Sequence, residues 1–209
     1  MDLQVKLVAD GHAEALKRAG VAPDKVDHVI MGQVLMAGQG QVPSRQAASK
    51  AGIPMNVPSV NINKVCLSGL NSIYLANQMI MSGEADIVVA GGMESMTNAP
   101  YIAAGARGGF RYGNTELADA IIKDGLWCAF DACLMGLGTE RYNGGGITRD
   151  QQDDAAMKSN LRAAAAIAAG RLADEIVPIS IPQRKGDPKV VSTDEGVRPD
   201  TTMESLAGL

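Results

Sequence analysis

The chain reads as an α/β protein built on a mostly parallel sheet with helical crossovers, and three observations predict it. Helix-like and strand-like patterns alternate through the first ~95 residues, the order expected of parallel strands joined by crossover helices. The run Asp86-Ile87-Val88-Val89-Ala90 is continuously apolar after its first residue and ends in Gly91-Gly92, as a strand buried on both faces should. Apolar residues make up 46% of the 209, enough for one core or two small ones.

The elements follow in order. Val5, Leu7, Val8 and Leu16 support a helix near 3–19, followed by a strand near 27–35 and a helix near 43–51. Alternating Val60 and Ile62 mark a strand near 57–65. Leu70, Ile73, Tyr74, Ile80 and Met81 keep to one face of a helix near 67–82, with Gly83 placed to cap its C-terminus. A strand near 86–91 completes the alternation. From about 97 to 115 glycines crowd and periodicity disappears, which places a boundary there. Thr148-Arg149-Asp150-Gln151 has the spacing of a capping box, and the Ala-rich helix it opens stops at Gly170. Beyond it Pro178, Pro182 and Pro188 describe an extended, exposed segment, and no fixed-period repeat is visible.

Charge and composition exclude several function classes. With a net charge of −4 and 19 scattered basic residues, there is no nucleic-acid footprint. The most apolar tract, 163–169, is far shorter than the ~20 residues a membrane span needs. The N-terminus carries acidic residues and no long apolar run, so no secretory signal is expected. Cys66, Cys128 and Cys133 form no even disulfide framework, zinc spacing or Cys-x-x-Cys pair, which points to a reducing, cytoplasmic home, with an organelle also compatible. Cys128 and Cys133 read as structural, His12 and His28 as surface or edge residues, and Asp153 and Asp154 as solvating a helix face.

Cys66 is the candidate nucleophile. It stands where the strand near 57–65 gives way to the next helix, and the free N–H groups and positive dipole end of a helix N-terminus favour a thiolate. The same N–H groups suit an oxyanion formed when sulfur attacks a carbonyl. The position also suits a small buried hydrophobe.

Asn63-Lys64-Val65-Cys66-Leu67-Ser68-Gly69 resembles the acyl-accepting cysteine motif of the thiolases. Ala90-Gly91-Gly92-Met93-Glu94-Ser95-Met96-Thr97-Asn98-Ala99-Pro100 resembles their glycine-rich turn, and Met31-Gly32-Gln33-Val34 with Pro43-Ser44-Arg45-Gln46-Ala47-Ala48, then Asp174-Glu175-Ile176-Val177-Pro178, agree in order and spacing. The resemblance covers essentially the whole chain. It implies a thiolase-like N-terminal domain over 1–96, carrying the nucleophile, and an inserted loop domain on the coenzyme A side over 97–209. The family's fold is two similar α/β domains plus that loop domain, so 209 residues would be about half of it. The resemblance further implies an incomplete sheet, lacking the family's first strand before Met1 and the strand that would follow Leu209.

The chemistry implied is acyl-CoA C-acyl transfer through an acyl-cysteine at Cys66, the reversible condensation or thiolysis of 3-oxoacyl-CoA. Coenzyme A and acyl-CoA enter as substrates, with no cofactor and no metal. Leu126 and Met135 would line the pantetheine tunnel, and Arg198 and Ser205 would sit near the nucleotide end. The family's general-base histidine, second cysteine and asparagine-held water belong to its C-terminal domain and have no counterpart here, so the isolated chain is expected not to turn over. Biosynthetic members usually carry histidine where this chain has Leu134, which weakens the expectation of short-chain acetoacetyl specificity, and Gly144-Gly145-Gly146 suggests a looser loop than the family's. The family pairs the strand near 57–65 with its copy, implying a homodimer or tetramer. The alternative is a non-catalytic fragment acting at most as a coenzyme A-binding or self-associating module.

Overall fold

The computed structural model describes residues 3–209, which divide into two compact units, one ending at Met135 and the other spanning Gly136–Leu209. In the first, α1 (Leu3–Ala19), β1 (His28–Gly32), α2 (Pro43–Lys50), β2 (Ser59–Ile62), α3 (Ser68–Met81) and β3 (Val88–Gly92) follow the alternation read from the sequence. The strands form one parallel sheet in the order β2-β1-β3, with Gly32 level with Ile62 on one side and Gly92 on the other. β1 is buried almost throughout, as a central parallel strand should be, and β2 and β3 are its edges.

Period-two alternation divides β1 between two faces. Val29 and Met31 join a core with Val5, Ala9 and Leu16 of α1, Ala47 and Ala48 of α2, and Ile53, Val57 and Met93. Ile30 and Val60 point into a groove walled by Leu75 and Met79 of α3. The α1 stripe recurs at helical spacing and includes position 12, so His12 is buried rather than at the surface or an edge as its sequence setting suggested. Its Nε2 lies 3.3 Å from Met31 Sδ.

Strands end earlier than the hydrophobic pattern alone indicates, because side chains capture the next backbone groups. Past Gly32, the Glu94 carboxylate accepts from the N–H groups of Val34 (2.8 Å) and Leu35 (3.1 Å), which withdraws them from the ladder. Past Ile62, Asn63 Oδ1 accepts from Val65 N at 2.9 Å and turns the chain. At the other end of the sheet Asp27 Oδ2 accepts from Asp86 N and Ile87 N, both at 2.9 Å, and these bonds hold its carboxyl below the ordinary range.

Short pieces complete the first unit: β4 (Tyr101–Ile102) paired with β5 (Ala118–Asp119), a helical segment Ile121–Leu126 with π-type bonding, and a hairpin of β6 (Trp127–Cys128) and β7 (Cys133–Leu134). α4 runs Met135–Asn143. In the second unit α5 (Arg149–Ala168) begins with the expected capping box: Thr148 Oγ1 accepts from Gln151 N at 3.3 Å, and Gln151 Oε1 from Thr148 N at 2.9 Å. The segment read as extended and exposed pairs with itself, β8 (Ile179–Ile181) against β9 (Lys189–Val191), and a short α6 (Met203–Ala207) follows. Asp153 does not solvate a helix face. It is buried, its oxygens 2.9 and 3.0 Å from Arg149 Nε, and the same guanidinium donates to the Leu206 carbonyl, tying α5 to α6. Asp154 is exposed and pairs with Lys158 at 2.7 Å.

Candidate active site

Cys66 sits between β2 and α3, with its side chain exposed, at the same end of the sheet as Gly32 and Gly92. Gly32 lets these segments meet. A Cβ on Gly32 would stand 2.2 Å from the Ser68 carbonyl carbon and 2.4 Å from Gly69 N, so the start of α3 lies directly against β1 backbone. Gly69 and Gly92 lie in van der Waals contact, with an added Cβ on Gly92 falling 3.4 Å from Gly69 Cα. The buried Ser72 hydroxyl, 2.7 Å from the Gly91 carbonyl, fastens α3 to the end of β3.

The turn before the cysteine is strained. Val65 has φ of +49°, a left-handed conformation that is an outlier for a β-branched residue. Its neighbours hold it there: Ser68 Oγ accepts from Lys64 N at 2.8 Å and donates to the Val65 carbonyl at 2.6 Å, while Ser68 N donates to that carbonyl at 3.0 Å. Cys66 is thereby fixed just ahead of Ser68, the first residue of α3, whose terminal N–H groups and dipole favour negative charge.

A cavity of about 190 Å³ opens at the sulfur, lined by Cys66, Val34, Leu35, Val65, Glu94, Met96, Ile121, Gly125 and Leu126. Its walls are apolar apart from Cys66 and Glu94, and the Glu94 carboxylate is occupied by the Val34 and Leu35 N–H groups. Asn63 Nδ2 donates to the Val34 carbonyl at 3.4 Å, so this strip of wall is clamped from two sides. A larger open groove of about 770 Å³ lies along the sheet between Ile30, Val60 and α3; its lining contains His28 but no cysteine.

Of the residues singled out in the sequence, Cys66 and Leu126 line one cavity. Met135 opens α4 and is partly exposed. Arg198 and Ser205 lie in the second unit. The Arg198 side chain is exposed, while its backbone N–H donates to Asn160 Oδ1 at 2.9 Å. The Ser205 hydroxyl is engaged in a second capping box, accepting from Thr202 N at 3.1 Å and donating to the Thr202 carbonyl at 2.8 Å. His12 and His28, the two histidines of the sequence, are both outside the Cys66 cavity. Burial pushes the His12 imidazole down to about 4. Sequence reasoning missed Val34, Leu35 and Ile121 as cavity walls and Glu94 as a clamp. Only Glu94 had a signal, its place two residues after the paired glycines Gly91-Gly92. Among the described residues no cluster of histidine, cysteine or carboxylate side chains could hold a metal ion, and no helix is long and apolar enough to cross a membrane.

Residues 3–209 match the family model described as thiolase, N-terminal domain. The chain is 53% identical over 196 residues to an acetyl-CoA acetyltransferase of Cupriavidus necator, covering 93% of this chain and 50% of that protein. It is 52% identical over 198 residues to a probable acetyl-CoA acetyltransferase of Mycobacterium leprae, covering 94% and 50%. In structure it is similar to the acetyl-CoA acetyltransferase of Bacillus anthracis, with a TM-score of 0.93, 37% identity and coverage of 100% of this chain and 53% of that one. The chain thus spans about half the length of the curated relatives it matches.

Proposed function

The chain belongs to the thiolase family, and we propose that Cys66 is its acyl carrier, taking the acyl group of an acyl-CoA as a thioester. The observation that carries this is the setting of the sulfur: it is exposed, held behind the strained Val65 turn at the head of α3, and opens on an apolar cavity. In the step itself the Cys66 thiolate attacks the thioester carbonyl, the oxyanion draws on the N–H groups at the start of α3, and the carbonyl reforms as coenzyme A leaves as thiolate. The bond broken and the bond formed are both carbon–sulfur, so the exchange is nearly balanced in energy. The apolar walls exclude water that would otherwise hydrolyse the acyl-cysteine.

Completing acyl transfer to carbon requires a base to deprotonate a second acyl-CoA, or to activate coenzyme A in thiolysis. Neither histidine reaches the cavity, and the one carboxylate there is engaged by backbone. We assign that role to residues outside these 209 and expect the chain alone to stop at the acyl-cysteine. Losing a general base typically costs about 10²–10⁴ in rate. We read Leu126, a wall of the Cys66 cavity, as a contact for the pantetheine arm, and extend that contact to Met135 and the nucleotide contacts to Arg198 and Ser205, with coenzyme A as substrate and no cofactor or metal. A domain boundary near 97, self-association through β2 and a cytoplasmic location belong to the same reading.

Incubation with acetyl-CoA followed by peptide mass mapping tests it. One acetyl group should appear on the Cys66 peptide and vanish in Cys66→Ser. No adduct in the intact chain, or equal labelling of Cys128, would sink the assignment. Binding of coenzyme A without any acylation would instead favour a non-catalytic module.

A further inference from the structure

We infer that Cys128 and Cys133 form a thiol–disulfide site, closing reversibly in the presence of a low-molecular-weight disulfide. They are direct partners in the antiparallel pair of β6 and β7, joined by the four residues 129–132, with Ala132 in the left-handed region at φ +48°. Directly opposed residues of an antiparallel pair project to the same face with Cα atoms about 4.5–5.5 Å apart. That separation falls inside the roughly 4.4–6.8 Å that a disulfide bridges without moving the backbone. Both thiols are free in this structure. Cys128 Sγ accepts from Asp131 N at 3.4 Å and lies 3.6 Å from Asp131 Oδ2, so a rotation about its own χ1 is what turns it from the loop to its partner.

Exposure assigns the order of events. Cys128 is half-buried and meets the oxidant first, whereas Cys133 is buried and acts as the resolving thiol. The Cys128 thiolate attacks one sulfur of the small disulfide, whose S–S bond breaks to release one half as a thiol. The Cys133 thiolate then attacks Cys128 Sγ, the intramolecular S–S bond forms and the second half departs. Two cysteine thiols are oxidised, the small disulfide is reduced to two thiols, and the two cysteine protons end on those products. Cys66 lies outside this hairpin, between β2 and α3, and has no cross-strand cysteine partner in it.

The pairing does not rest on the acyl-transfer reading. Its location nonetheless gives it a consequence, because β6 follows directly on the segment Ile121–Leu126, from which Ile121, Gly125 and Leu126 wall the Cys66 cavity. Two ladder pairs are all that define the hairpin, and a covalent bond across one of them fixes it.

Oxidised glutathione, alkylation under denaturing conditions and trypsin provide the test. No lysine or arginine lies between Lys123 and Arg141, so one peptide, 124–141, holds both cysteines and excludes Cys66. That peptide should become lighter by two hydrogens and refuse alkylation, and dithiothreitol should restore both alkylation sites. In Cys133→Ser, Cys128 should stop at the mixed disulfide. The native chain should reach half-conversion at a glutathione disulfide-to-thiol ratio at least roughly tenfold lower than the urea-unfolded chain, since the fold supplies the effective concentration. Two alkyl groups on the peptide, a mixed disulfide on Cys128 that persists beside an alkylated Cys133, a link to the Cys66 peptide, or equal ratios folded and unfolded would each overturn the inference.

Discussion

His12 and Gly32 show how single residues outside the Cys66 cavity fix this unit. His12 is 5% exposed and its imidazole is pushed down to about 4 by burial, so the folded protein holds it neutral where the unfolded chain binds a proton. Between the ordinary histidine value near 6.5 and about 4 the unfolded state takes up more protons, and stability must fall as pH drops through that window, by up to about 3 kcal/mol. Urea unfolding at a series of pH values should show this slope, and His12→Leu should flatten it; an unchanged slope in the variant would assign the acid sensitivity to other groups. Gly32→Ala places a methyl carbon inside the backbone of Ser68 and Gly69, which no side-chain rotation relieves. It should cost about 3 kcal/mol or more. Because the displaced backbone carries Cys66, acylation by acetyl-CoA should slow as well, whereas Gly11→Ala, with nothing within 4 Å of its Cβ, should leave acylation untouched.

At the level of elements, α5 rests on its N-terminal box, since few of its residues are buried and Asp153 is the one fully so. Thr148→Ala removes the acceptor for Gln151 N and should cost about 1 kcal/mol, seen as roughly fivefold faster amide exchange in the first turn of α5 with the α3 amides unchanged. Uniform acceleration across the chain would show that the box governs global rather than local opening. This box was legible in the sequence because both of its bonds are made within four residues. The helix and strand order was legible for the same local reason, each element carrying its own period. The end of β1 was not, because Glu94 decides it through bonds spanning up to 60 positions. The motif around Cys66 could be read, but its cavity walls come from four separated stretches, near 34, 65, 95 and 121–126, which only the folded chain assembles. α3 gives the opposite case: its apolar stripe of Leu70, Ile73 and Tyr74 is correctly helical and yet more than half exposed, since burial depends on a facing surface that the described residues do not supply.

For the molecule as a whole, the open edge of β2 sets the expectation. The three-stranded sheet leaves the outer sides of β2 and β3 unpaired among the described residues, and unpaired strand backbone is a template for another strand. β2 is short and carries no charged residue in Ser59–Ile62, so nothing in it opposes pairing with a second copy. Self-association through β2 should therefore appear in sedimentation as a concentration-dependent rise in mass. Val60 lies at the middle of this strand, 39% exposed, and Val60→Lys brings two like charges together when the strand meets its copy. The variant should weaken association at least tenfold, about 1.4 kcal/mol, and the weakening should shrink as salt screens the added charges. Val60→Thr keeps the β-branched shape and should associate like the parent. A parent chain that stays monomeric at every concentration would dismiss the β2 interface. A lysine variant that associates as well as the parent would move it to another surface, with the exposed stripe of α3 the next to test.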